Sequence, residues 1–187
     1  MNRLFSILLA GLLLVSVKPC LAGYDEGAAA YNLGDYATAL RNWSPLADQG
    51  NAFAQYYLGV MHEKGRGVPK DNKVAIAWYR KAAVQGNAFA QSALGAMYEE
   101  GLGGVPRLRV VAYALYNLSA SGNSSERNKD AQENRKRIGD SMTKKEIVAG
   151  QDLSSKMVEP GNLLKAIDEY AKNPDIEKER EAPIWYW

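Results

Sequence analysis

Residues 50–85 read GNAFAQYYLGVMHEKGRGVPKDNKVAIAWYRKAAVQ, and residues 86–121 continue GNAFAQSALGAMYEEGLGGVPRLRVVAYALYNLSAS. The second stretch restates the first. At an offset of 36, Gly50, Asn51, Ala52, Phe53, Ala54 and Gln55 match Gly86, Asn87, Ala88, Phe89, Ala90 and Gln91. The matches continue through Leu58 and Leu94, Gly59 and Gly95, Met61 and Met97, and Gly65 and Gly101. One extra glycine in Gly103-Gly104 shifts the offset to 37, after which Val68, Pro69, Ala75, Tyr79 and Ala83 meet Val105, Pro106, Ala112, Tyr116 and Ala120. A repeat of this length marks a stack of supersecondary units, each burying its apolar face only against its neighbours.

Each copy reads as a helical hairpin. Ala54, Leu58 and Met61 have the i, i+4, i+7 spacing of one helical face, and Gly59 removes a side chain where another helix can approach. Gly65 is suited to the left-handed conformation that ends the helix, and Val68-Pro69 forces an extended step. Asp71 is then placed to cap a second helix whose inner face is Ala75, Trp78 or Tyr79, and Ala82. In the second copy Leu108 stands where Asp71 caps the first, so a looser turn is expected there.

The Gly-Asn-Ala-x-Ala-Gln start, the Leu-Gly-x-Met segment, the Gly-x-Gly-Val-Pro turn and the Ala-x-x-x-Tyr-x-x-x-Ala second helix together resemble the Sel-one-like repeat family. This family is related to the tetratricopeptide repeats and has a slightly longer turn. The resemblance spans roughly residues 24–157 and implies an all-α, right-handed α-solenoid of stacked hairpins that serves protein–protein contact, usually without catalysis of its own. It also implies that the first helix of each hairpin lines the concave side.

Working outward, residues 24–49 read as an opening repeat with a shortened turn at Gly34-Asp35-Tyr36, and Pro45 is expected to bend or loosen the last turn of its second helix. Residues 1–22 read as a signal peptide. Arg3 supplies positive charge, residues 4–17 form a largely apolar run of 14, and Cys20-Leu21-Ala22 places small residues for cleavage before Gly23. That run is shorter than the roughly 20 residues a membrane-spanning helix needs. The protein is therefore expected in the periplasm or secreted, with membrane attachment only if Cys20 is acylated or the signal stays uncleaved. Lys18 and Pro19 occupy places where lipoprotein signals carry small residues.

On the C-terminal side, residues 124–139 form a charged segment with Ala131 and Ile138 as its apolar positions, and Thr143 with Glu146 forms a capping box opening a helix through Met157. Beyond the repeat domain, residues 158–187 read as an extra helix over residues 162–172, carrying Leu163, Leu164, Ile167 and Tyr170, followed by a tail. In the tail, charge precedes the aromatic end Trp185-Tyr186-Trp187, which is expected to dock loosely or to order on a partner.

Composition narrows function. The chain carries 23 Lys and Arg against 21 Asp and Glu; removal of Arg3 and Lys18 with the signal leaves 21 of each. Nucleic acid and anionic membrane both call for a basic surplus, so neither is expected as the main partner. The only cysteine, Cys20, leaves with the signal, and the only histidine, His62, stands where the second copy has Tyr98, a packing position. No catalytic dyad, metal site or cofactor is expected. Enzyme is a third reading, and it would have to be built on His62 without a nucleophile elbow. Partner-binding residues are sought where the first helices differ between copies: Tyr56 against Ser92, Tyr57 against Ala93, and Val60 against Ala96, with Phe53 and Phe89 beside them. Trp185, Tyr186 and Trp187 join this set as a mobile aromatic contact. Two functions are expected from the resemblance: an exported adaptor or scaffold in the bacterial envelope, or an immunity-type inhibitor of one toxic effector.

Overall fold

A computed structural model describes residues 20–121 and 129–176, so expectations for residues 1–19 and for Trp185, Tyr186 and Trp187 lie outside the described residues. The described residues form helices α1 (Cys20–Asn32), α2 (Tyr36–Asp48), α3 (Ala52–Lys64), α4 (Asn72–Val84), α5 (Ala88–Glu100), α6 (Arg109–Ala120), α7 (Lys129–Gly139), α8 (Lys144–Met157) and α9 (Leu163–Ala171), with no strand among them. Successive helices from α1 to α6 pack on their chain neighbours, giving an α-solenoid.

The repeat motif accounts for where α3 and α5 start and stop and for where α4 starts. Asn51 accepts hydrogen bonds from the Phe53 and Ala54 amides, and Asn87 accepts one from Ala90, so both first helices start on a side-chain cap. Both stop at a glycine in the left-handed region, Gly65 at φ 68° and Gly101 at φ 70°, whose amides reach back to the Met61 and Met97 carbonyls. Asp71 caps α4 through the Lys73 and Val74 amides. The glutamine of each motif has a further task. Gln55 Nε2 donates to the Ala47 carbonyl at 3.0 Å and Gln91 Nε2 to the Ala83 carbonyl at 3.3 Å, stitching each first helix to the hairpin before it.

Glycine sets the separation of the two helices within a hairpin. A Cβ on Gly59 would lie 2.4 Å from the Tyr79 ring, and one on Gly95 3.0 Å from the Tyr116 ring. Tyr79 therefore fills the inner face of α4 with no exposure, while the adjacent Trp78 is half-buried beneath the Lys81 ammonium. The opening hairpin uses the same device with different residues: Gly27 faces Trp43, and a Cβ there would sit 2.5 Å from the indole Nε1.

The second turn is not the loose turn that Leu108 suggested. The Leu108 amide donates to the Tyr98 carbonyl at 2.9 Å, matching the Asp71 amide on the His62 carbonyl at 2.9 Å. Its side chain is fully buried, so apolar burial takes the place of the missing cap. Gly103 and Gly104, both at positive φ, absorb the added residue. At Pro45, where a bent or loosened last turn is expected, α2 runs through to Asp48 and the Gln49 amide bonds the Pro45 carbonyl. Pro45 is exposed, which leaves water to satisfy the carbonyl its ring cannot serve.

The stack closes around α6. Both α7 and α8 pack mainly on it, and a Cβ on Gly150 of α8 would come within 2.6 Å of Tyr113, the glycine–aromatic device once more. Thr143 and Glu146 form the expected capping box, and Glu146 also accepts from Arg109 at 2.8 Å. Finally α9 lies against α8 and reaches back to α4, where Arg80 meets Asp168 at 3.2 Å, and Leu163, Ala166 and Ile167 join the same core as α6.

Candidate functional site

A groove of about 290 Å³ runs along α5 between residues of α3 and α7. Its origin lies in the difference between the two copies. Where α3 carries Tyr56, Tyr57 and Val60, α5 carries Ser92, Ala93 and Ala96, and these small side chains leave the space open. Tyr56 and Glu63 contribute from α3, Phe89, Met97 and Glu100 from α5, and Asp130, Ala131 and Asn134 from α7. Tyr56 stacks on Phe89 with ring centroids 5.5 Å apart, so an aromatic pair lines the groove.

Acidic groups surround it, and they differ in how well they are satisfied. Tyr79 donates to Glu63 at 2.6 Å and Tyr116 to Glu99 at 2.9 Å, a contact that recurs in both copies. Lys64 neutralises Glu63 at 2.5 Å, and Arg137 holds Glu99 through contacts of 2.5 and 2.8 Å. Burial pushes the Tyr56 hydroxyl up to about 12, helped by Tyr57 and Glu63. Burial likewise, with Glu63 and Glu99 as acceptors, raises Tyr79 and Tyr116. For Glu99 burial acts to raise the carboxyl, but the Arg137 and Tyr116 hydrogen bonds outweigh it and the net shift is downward. Glu100 and Asp130 are exposed at the groove and form no ion pair among the described residues.

The Glu99 shift has a measurable consequence. Its folded pKa lies below the ordinary value, so the stability it contributes is present above about pH 4.3 and is lost as pH falls through the lower folded value. Glu99→Gln is expected to lower the melting temperature at pH 7, with the gap to the parent protein shrinking as the pH is brought down to about 3. A gap that stays constant across that range would show that Glu99 contributes through shape and not through charge.

The structure divides the predicted contact residues. Tyr56 and Phe89 line the groove, whereas Val60 is half-buried against the same core as Tyr56 and is not among the lining residues. Tyr57 turns the other way: it stacks on Trp43 at 4.6 Å and meets Tyr31 at 5.9 Å and Tyr24 at 6.1 Å within the core of the opening hairpin. Phe53 is exposed and touches Tyr24 edge-on at 6.0 Å. His62, half-buried at the end of α3, lies outside the groove, and its Nδ1 is buried with no hydrogen-bond partner among the described residues. Sequence reasoning missed Glu100, Asp130 and Asn134. Only the large-to-small differences at Ser92, Ala93 and Ala96 pointed to this location. Among the described residues no helix is long and apolar enough to cross a membrane.

A family model for the Sel1 repeat matches residues 52–87 and 88–124, the two hairpins that flank and form the groove. Among solved structures, the chain is similar to c5321, described as a protective antigen present in uropathogenic Escherichia coli strains displaying an SLR fold. That likeness has 30% identity and a TM-score of 0.68, over 82% of this chain and 33% of the other. It is also similar to a Sel1 repeat protein from Oxalobacter formigenes, with 32% identity and a TM-score of 0.52, over 62% of this chain and 89% of the other. The chain thus spans about a third of the length of c5321. No curated protein sequence matches it.

Proposed function

Because this chain belongs to the Sel1 repeat family, whose members are generally protein–protein interaction modules, we propose that it is a non-enzymatic adaptor of the bacterial envelope that seats its partner in the groove along α5. The carrying observation is the groove's origin. Stacking requires the glycine–tyrosine and glutamine contacts, which both copies share, but it does not require small residues at Ser92, Ala93 and Ala96. Positions released from the framework are where a partner can act on the surface. An exported location is supported by the pattern of residues 1–22.

A photo-crosslinking amino acid placed at Ser92 is expected to yield protein adducts in cells, whereas the same group at Ala77, exposed on α4 and outside the groove, is not. Equal labelling from both positions would count against the groove. Periplasmic fractionation with N-terminal sequencing should find the mature chain starting at Gly23; retention in the cytoplasm would overturn the envelope reading. A single adduct species, bound tightly, would favour the inhibitor over the adaptor.

A further inference from the structure

Among the described residues, those that line the groove include Glu63, Glu100 and Asp130 and not one lysine, arginine or histidine. We propose that the partner presents a cationic segment, in which one bulky apolar side chain enters the groove beside Phe89 and Ala96 while flanking lysines or arginines meet Glu100 and Asp130. This rests on the groove being the partner's seat and goes further by naming the partner's chemistry.

Three observations carry it. The whole chain is close to electroneutral, with a formal charge of +2, so the acidity is a local feature. Within it, Glu63 is already met by Lys64 and Tyr79, and nearby Glu99 by Arg137 and Tyr116, whereas Glu100 and Asp130 stand exposed without an ion pair among the described residues. The size also fits a side chain. At about 290 Å³ the groove falls at the lower edge of the roughly 300–1,000 Å³ typical of small-molecule sites. Complementary charge is what steers and registers a partner onto such a seat. The chain's own end is the wrong occupant, because its aromatic residues Trp185 and Trp187 follow Glu177, Glu179 and Glu181, with only Lys178 and Arg180 to offset them.

The test uses the full chain and three fluorescein-labelled peptides that share one Leu-Trp anchor, flanked on each side by two lysines, two serines or two glutamates. By fluorescence anisotropy at low salt the lysine peptide is expected to bind about tenfold more tightly than the serine peptide, with the glutamate peptide weakest. This order should collapse toward equality at 1 M salt, where the Debye length shrinks to about 3 Å. E100K/D130N should remove the lysine preference while the circular dichroism stays unchanged. Ala96→Leu, and Ser92→Trp as a second filling of the space in case the first disturbs folding, should weaken all three peptides. If the three peptides bind equally and Ala96→Leu or Ser92→Trp still blocks them, the cationic assignment is overturned and the groove reading stands. If the lysine preference survives E100K/D130N and the filling variants, both fall. Absence of any binding at millimolar peptide, binding that appears only after removal of residues 177–187, or a self-associated chain that Ala96→Leu dissociates would also overturn the proposal.

Discussion

Replacing Trp43 with alanine is expected to lower stability by about 3–5 kcal/mol, the range for truncating a large buried aromatic side chain. Trp43 has no exposure, stacks on Tyr57 at 4.6 Å, meets Tyr31 at 5.5 Å and Tyr24 at 6.2 Å, and donates from Nε1 to the Tyr24 carbonyl at 3.2 Å. It therefore joins α1, α2 and α3 at once. Its removal leaves a cavity that three helices border and takes one hydrogen bond from the Tyr24 carbonyl, so the loss should fall within that range. Urea denaturation read by circular dichroism gives the check. Trp78→Ala is the internal control: Trp78 is half-buried and its ring carries the Lys81 ammonium 4.0 Å above it, so a much smaller loss is expected. Equal losses at the two tryptophans would mean that the opening hairpin does not depend on Trp43 as its centre.

The second large effect is expected at Gly59. Any side chain there must displace the Tyr79 ring, since even a Cβ would stand 2.4 Å from it, and Tyr79 is itself held by its 2.6 Å hydrogen bond to Glu63. Gly59→Leu should destabilise by about 3 kcal/mol, the upper part of the overpacking range. Alanine separates the two copies more finely. Replacing a helical glycine with alanine favours the helix by about 1 kcal/mol, and that gain opposes the clash. At Gly95, where the Cβ contact with Tyr116 is 3.0 Å, the two effects should nearly cancel; at Gly59 the clash should win. Chemical denaturation of Gly59→Ala and Gly95→Ala gives the comparison, and a Gly59→Ala/Tyr79→Leu double variant should recover part of the loss because the two sites touch. If Gly59→Ala were as stable as the parent protein, close helix approach would not be what the glycine provides.

Much of the fold was legible because its signals are local. An aspartate cap at Asp71, a left-handed stop at Gly65 and the Thr143–Glu146 box each depend on a few residues of chain, and each appears where the sequence placed it. The repeat then dictated stacking, since neither hairpin can bury its face alone. Turn tightness at Leu108 was misread because the residue's contribution is burial against distant helices and not a bond to its own.

For the site, the sequence by itself determined that α3 and α5 differ at Tyr56, Tyr57 and Val60 against Ser92, Ala93 and Ala96, and that catalytic residue types are scarce. Only the tertiary structure decided what those differences mean. Tyr56 and Tyr57 are chain neighbours, yet successive helical residues point about 100° apart, so one faces Phe89 and the groove while the other enters the aromatic core around Trp43. Likewise Glu99 and Glu100 are adjacent, but Arg137 of α7 reaches the first and leaves the second at the groove. The partners that separate each pair come from other helices, and no local pattern in a sequence records which of them will arrive on which side.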